Sequence, residues 1–190
     1  MMRTLVTQRS AVRADAPFLV GLWSESLRKV DREDQVADLE QIIEHAHGSD
    51  EHRLVIAEYD GCSAGAVHLA VATLSSINLE RTVQALSPHV LPEFRRHGVG
   101  RSLMEAAVTF AEELGVGMIT TAAAAGSRDA NRFLARLALG PQVVVRAAPT
   151  TAVRARLTAQ RPAGQRGRQL GQVLAARRSL RRSQLPADAG

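Results

Sequence analysis

The chain has 190 residues, of which 45% are apolar, ample for one folded domain with a sizeable core plus a tail. Its longest apolar runs fall well short of the roughly 20 residues that a membrane helix needs, and no cationic stretch followed by a signal-type apolar block opens it. These features predict a soluble, cytoplasmic protein. Cys62, the single cysteine, excludes an internal disulfide and a cysteine-based metal site. The net charge of +5 is unevenly spread: residues 151–190 carry nine arginines against Asp188 alone, which leaves a mildly acidic body.

In chain order, residues 4–13 read as a strand running into Asp15-Ala16-Pro17, a helix start after which Phe18, Leu19, Leu22 and Trp23 recur at helical spacing. A second helix is predicted over Glu33–Ala46, with Val36, Leu39, Ile42 and Ile43 on one face. Arg53–Tyr59, the turn Asp60-Gly61 and Ala64–Leu74 form an antiparallel hairpin. Residues 81–92 are a further extended segment, interrupted by Pro88. A helix from Arg101 to about Leu114 buries Leu103, Met104, Ala107, Phe110 and Leu114 and stops at Gly115. Val116–Ala125 reads as a buried strand, Arg128–Leu139 as a short helix, and Gln142–Ala147 as a last strand. The expected fold class is α/β (α+β), with a mixed, mostly antiparallel sheet and flanking helices.

The domain is expected over residues 1–149, followed by a basic extension over 150–190. In that extension Thr150–Gln160 reads as a helix, 161–168 as a linker and 169–182 as an amphipathic helix bearing Leu170, Val173 and Leu174. The extension reads either as a polyanion-binding element or as an appendage packed on its own domain or on the partner subunit of a homodimer. With only 3% aromatic residues, contact with nucleic acid would fall on phosphates rather than stacked bases.

The densest chemical signal is Arg95-Arg96-His97-Gly98-Val99-Gly100, between an extended stretch and the helix that opens with Arg101 and Ser102. Glycines two apart permit a sharp turn and close approach of a ligand, and the first amides of a helix lack internal partners. Those amides and the positive end of the helix dipole favour a phosphate, with Arg95, Arg96 and Arg101 adding full charge. The nucleotide P-loop needs Lys and Ser or Thr where Arg101 and Ser102 stand, and the dinucleotide fingerprint needs a third Gly where Leu103 stands. A plain strand-to-helix turn with solvated arginines is the bland alternative.

The segment resembles the Arg/Gln-x-x-Gly-x-Gly/Ala signature of the GCN5-related N-acetyltransferase (GNAT) superfamily, together with that family's Val-x-Pro-Glu-aromatic-Arg approach, here Val90-Leu91-Pro92-Glu93-Phe94-Arg95. The predicted order of elements over residues 4–148 is also that of the GNAT fold. The resemblance implies acetyl-coenzyme A as acyl donor, lying between two splayed parallel strands at residues 81–92 and 116–125, and direct attack by a primary amine. It implies pantetheine contacts at Val90, Leu91 and Pro92, and a pyrophosphate site built from Arg95, Arg96, His97, Gly98, Val99, Gly100, Arg101 and Ser102.

Two departures from the family stand out. Leu134 takes the place of the tyrosine that often protonates the leaving thiolate. Pro88, which has no N–H, stands where a strand amide often bonds the acetyl carbonyl. Glu80, His68 and His89 are the candidates for a general base, and no catalytic group is assigned among them. The histidine spacing shows no metal site. The rival readings are an acyl-coenzyme A sensor of weak activity and a nucleic-acid or ribosome-associated module acting through the basic tail.

Overall fold

The computed structural model describes residues 5–123, 126–143 and 145–160. The expected linker at 161–168 and amphipathic helix at 169–182 lie outside them. The chain divides into a unit that ends at Pro141 and a second that starts at Gln142.

In the first unit β1 (Val6–Ser10) leads through a short 3-10 turn at Arg13–Asp15 into α1 (Ala16–Leu22). Pro17 lies in the first turn of α1, where its missing N–H costs nothing. Asp15 fixes the entry angle: its carboxylate accepts from the Val12 amide at 2.7 Å and from the Arg9 guanidinium at 2.6 and 2.9 Å. Arg9 also bonds Glu58 on the neighbouring strand at 2.6 Å. α2 (Arg32–His47) follows, with Glu33 and Asp34 in its first turn and His45 and His47 in its last, the arrangement the helix dipole favours.

β2 (His52–Tyr59) and β3 (Cys62–Thr73) make the expected hairpin. Its turn residues Asp60 and Gly61 both take positive φ, 49° and 81°, as a two-residue hairpin turn of matching twist demands. β4 (Arg81–Val90), α3 (Val99–Glu113), β5 (Ile119–Thr121) and α4 (Arg128–Arg136) complete the unit, and α5 (Thr150–Ala159) belongs to the second.

Among the described residues the sheet has the order β1-β2-β3-β4-β5, antiparallel except for the parallel pair β4–β5. α3 covers one face, where Leu103, Ala107 and Phe110 pack on Val55, Val67, Leu69, Val83 and Ala85. α1 and α2 cover the other, where Leu19, Leu39 and Ile43 meet Leu54, Ile56 and Ala66. The sheet is thus sandwiched, as the alternation of its strands implies.

Two expected strands are corrected. Among its described residues the segment Val116–Ala125 narrows to the three residues of β5. Gln142–Ala147 forms no strand at its described residues, and Val143 and Val145 are 83% and 88% exposed. Strand propensity in a Val-rich run is realised only against a paired neighbour.

Candidate active site

β4 pairs with β5 only at Val83–Ile119, Gln84–Thr120 and Ala85–Thr121. The Thr121 hydroxyl closes this apex by donating to the Ala85 carbonyl at 2.8 Å. Beyond it, among the described residues, β4 continues to Val90 paired with β3 alone, and the edge it leaves without a strand partner past Ala85 is one side of a V whose apex is the β4–β5 pairing. A bulge sharpens the divergence. Ala66 lies opposite His89 and His68 opposite Leu86, which sets both Ser87 and Pro88 against Val67. An extra residue of this kind bends and twists the strand that carries it. Ser87 has φ 47°, unusual for a residue with a Cβ. The free edge of β4 past the apex has backbone groups able to pair with an extended ligand.

Gly65 sets how closely β3 approaches that edge. A Cβ there would lie 2.5 Å from the His89 carbonyl oxygen and 3.3 Å from the Val90 Cα. From Val90 the chain turns on a bond from the Leu91 amide to the Ala64 carbonyl at 2.9 Å and a 3-10 turn at Pro92–Phe94. Arg96 and Gly98 then take positive φ, 65° and 89°. Gly98 is the N-cap of α3, without a side-chain cap among the described residues. The Ser102 amide is the first to find an intrahelical acceptor, the Gly98 carbonyl at 2.9 Å. The amides of Val99, Gly100 and Arg101 therefore point out at the positive end of the helix dipole, a cradle suited to a diphosphate.

The predicted cofactor residues divide once placed. Arg95, Arg96, His97 and Arg101 are exposed around this cradle. The Arg95 Nε leans on the Val90 carbonyl at 3.4 Å, and Arg101 reaches Glu105 at 2.8 Å. The His97 ring packs edge-on to Tyr59, 4.9 Å between centroids, and Tyr59 also meets Phe94 at 5.6 Å, so β2 props the loop. Ser102 turns inward: it is buried, and the Gln8 amide nitrogen donates to its hydroxyl at 2.8 Å and its carbonyl at 2.7 Å. Ser102 thus fastens α3 to β1. Close approach within the protein demands glycine at neither position: at 98 the left-handed φ of 89° favours it, a Cβ there coming no nearer than 4.0 Å to Val6, and at 100 a Cβ would meet Phe133 and Val90 at an ordinary 3.7 Å.

The base candidates also separate. Glu80 lies five residues before the apex residue Ala85, about 17 Å along a strand rising ~3.4 Å per residue. His68 sits within a histidine cluster, its Nε2 3.4 Å from His52 Nδ1, with His45 packed on His52 at 4.6 Å. Burial first, then the charges of His52 and His45, press its pKa down to about 4. His89 stands past the apex, where the V is open. Burial and Arg95 lower its pKa while the Glu25 carboxylate opposes them, which places Glu25 of the α1–α2 loop within electrostatic reach. Leu134 is buried. Among the described residues no group of His, Cys, Asp or Glu side chains is arranged to hold a metal ion, and no helix is long and apolar enough to cross a membrane.

The residues that shape the site but to which the sequence reading gave no role in it are Gln8, Trp23, Tyr59 and Gly65. Trp23 donates its indole N–H to the Ser87 carbonyl at 2.8 Å. Each acts through a partner at least 24 positions away, so no local spacing signals it.

The sequence profile of the acetyltransferase (GNAT) family matches residues 17–139, which span both arms of the V and the glycine loop. The chain belongs to the GNAT family. It is accordingly an acyltransferase. No curated protein matches it. Solved structures share the fold at low identity. A transcriptional regulator from Bacillus halodurans C-125 is 16% identical with TM-score 0.65, covering 76% of this chain and 99% of that one. An aminoglycoside N-acetyltransferase in complex with CoA is 18% identical with TM-score 0.64, covering 79% and 99%. Glucosamine-6-phosphate N-acetyltransferase from Arabidopsis thaliana is 12% identical with TM-score 0.60, covering 77% and 99%.

Proposed function

We propose that this GNAT protein transfers an acetyl group from acetyl-coenzyme A to a primary amine by direct attack. The observation that carries this reading is the V between β4 and β5 opening beside the uncapped N-terminus of α3. The diphosphate of the donor fits the amides of Val99, Gly100 and Arg101, with Arg95 and Arg96 supplying charge. The pantetheine arm fits the free edge of β4 at Val90, leading the thioester toward the bulge at Ser87-Pro88.

His89 is the base candidate best placed for the incoming amine. With its pKa below the ordinary histidine value, the ring is neutral at pH 7 and able to accept a proton. A base of that strength suits an acceptor that is already partly unprotonated, and Glu25 nearby favours a cationic one. Positioning supplies much of the rate: orienting two reactants contributes roughly 7–11 kcal/mol, against about 10²–10⁴-fold for one acid or base. A thiol of pKa about 8.5 is a fair leaving group without assistance.

Leu134, buried and without a hydroxyl, and Pro88, without an N–H, favour one second reading: a protein that binds acyl-coenzyme A and transfers slowly. A panel of amines assayed for acetyl-coenzyme A-dependent thiol release separates the two. The enzyme reading expects at least one amine to raise release well above the amine-free rate. A flat panel, with binding retained, supports the sensor.

A further inference from the structure

We infer that Trp23 is a positioning residue for acyl transfer, acting by pinning the strained bulge of β4. Trp23 ends α1: its amide donates to the Leu19 carbonyl at 2.9 Å, and its side chain is buried between α1 and the sheet. Its indole N–H then crosses to the Ser87 carbonyl, 64 positions away, at 2.8 Å.

The recipient is an improbable piece of backbone. Ser87 has φ 47°, a left-handed value that a side chain resists. It also precedes Pro88, whose ring restricts the conformation of the residue before it. Such geometry persists only where its surroundings over-determine it, and it gathers at functional sites. Here the bulge lies two residues past Ala85, where β4 loses β5 as a partner and the V opens. Pro88 removes one ladder donor from this stretch. The indole therefore substitutes, from the helical layer, for restraint that the sheet itself does not provide. It holds the Ser87–Pro88 peptide in one orientation and with it the line of the edge from Leu86 to Val90.

This inference rests on the proposal that acetyl-coenzyme A occupies the V. The role predicted is confined to the thioester end, because the amides of α3 lie on the far side of the Pro92–Phe94 turn. Trp23 is also the sole tryptophan of the chain, so its indole N–H resonance and its fluorescence report this bond without interference.

The experiment titrates the full chain with acetyl-coenzyme A and with coenzyme A, following the Trp23 indole resonance and the heat of binding. Thiol release is measured for wild type, Trp23→Phe, Ser87→Gly and the double variant. Acetyl-coenzyme A should shift the indole resonance. Trp23→Phe, which keeps an aromatic ring but loses the donor, should lower kcat about 2- to 12-fold, the worth of one hydrogen bond, with coenzyme A affinity unchanged. Ser87→Gly relieves the positive-φ penalty. The double variant should therefore lose less than the sum of the singles, because a bulge relieved of its strain depends less on the indole for its line.

An unmoved resonance, or a kcat for Trp23→Phe equal to wild type while calorimetry shows normal binding, overturns the pinning role and leaves the proposed function standing. Strict additivity of the two substitutions also overturns it. Absence of any acetyl-coenzyme A binding by the wild type overturns both.

Discussion

Replacing Gly65 with alanine perturbs the site from the neighbouring strand β3. The new Cβ would stand 2.5 Å from the His89 carbonyl oxygen, 3.2 Å from Val99 Cγ1 and 3.3 Å from the Val90 Cα. The closest of these falls about 0.9 Å short of an ordinary 3.4 Å contact, and the opposing atom is backbone, so the strand itself must move. Overpacking of this kind costs about 1–3 kcal/mol, and backbone on both sides places the expected cost near the upper end. For a chain of this size each kcal/mol shifts Tm by about 2–4 °C, which gives a fall of about 6–12 °C by calorimetry or circular dichroism. The displaced segment includes Val90 and presses on the first residue of α3, so coenzyme A affinity should drop at least about tenfold. Gly100→Ala is the matched control. Its Cβ meets Phe133 and Val90 at 3.7 Å, and alanine favours a helix over glycine by about 1 kcal/mol, so its Tm should equal or exceed that of wild type. A Gly65→Ala protein that melts within about 2 °C of wild type with unchanged affinity would refute the reasoning.

Asp15→Asn should destabilise the fold by about 2 kcal/mol, the scale of hydrogen bonds to charged groups, and be read as a lower urea midpoint. The Arg9 guanidinium holds the Asp15 carboxyl below its ordinary value, so its stabilisation is full above about pH 4 and is lost as pH falls through the depressed pKa; the variant should flatten that acid limb. His68, at about 4 against an ordinary 6.5, binds its proton less readily when folded. Its contribution is therefore full above about pH 6.5 and is lost as pH falls toward 4. His68→Gln should flatten Tm against pH over that window, and an unchanged slope would contradict the assignment. Leu134→Tyr should lower Tm and leave the thiol-release rate unimproved, because the position is buried, and overpacking costs about 1–3 kcal/mol.

The legible parts of this fold were those written in local pattern. The amphipathic spacing of α3, the Asp60-Gly61 turn and the Gly98 helix start each depend on residues within a few positions of one another. β5 and the Gln142–Ala147 segment were misjudged because an apolar run reports propensity, whereas strand length depends on neighbours distant in sequence. The site was legible to the same extent. The amides of Val99, Gly100 and Arg101 follow from a glycine at a helix start. The bulge at Ser87-Pro88 follows from the register between β3 and β4, which no spacing within β4 reveals. Ser102 shows the converse: it reads as part of the pyrophosphate site until Gln8 of β1 is brought beside it.

Calorimetric titration of coenzyme A into wild type and Gly98→Glu tests the central claim most directly. Gly98 combines φ 89° with the N-cap position of α3, so glutamate there sets both a side chain in a left-handed conformation and a negative charge among the amides proposed to hold the diphosphate. The account predicts micromolar-range binding by the wild type and none detectable by a Gly98→Glu protein whose circular dichroism spectrum matches that of the wild type. Equal affinity in the two proteins would contradict it and move the donor site away from the V.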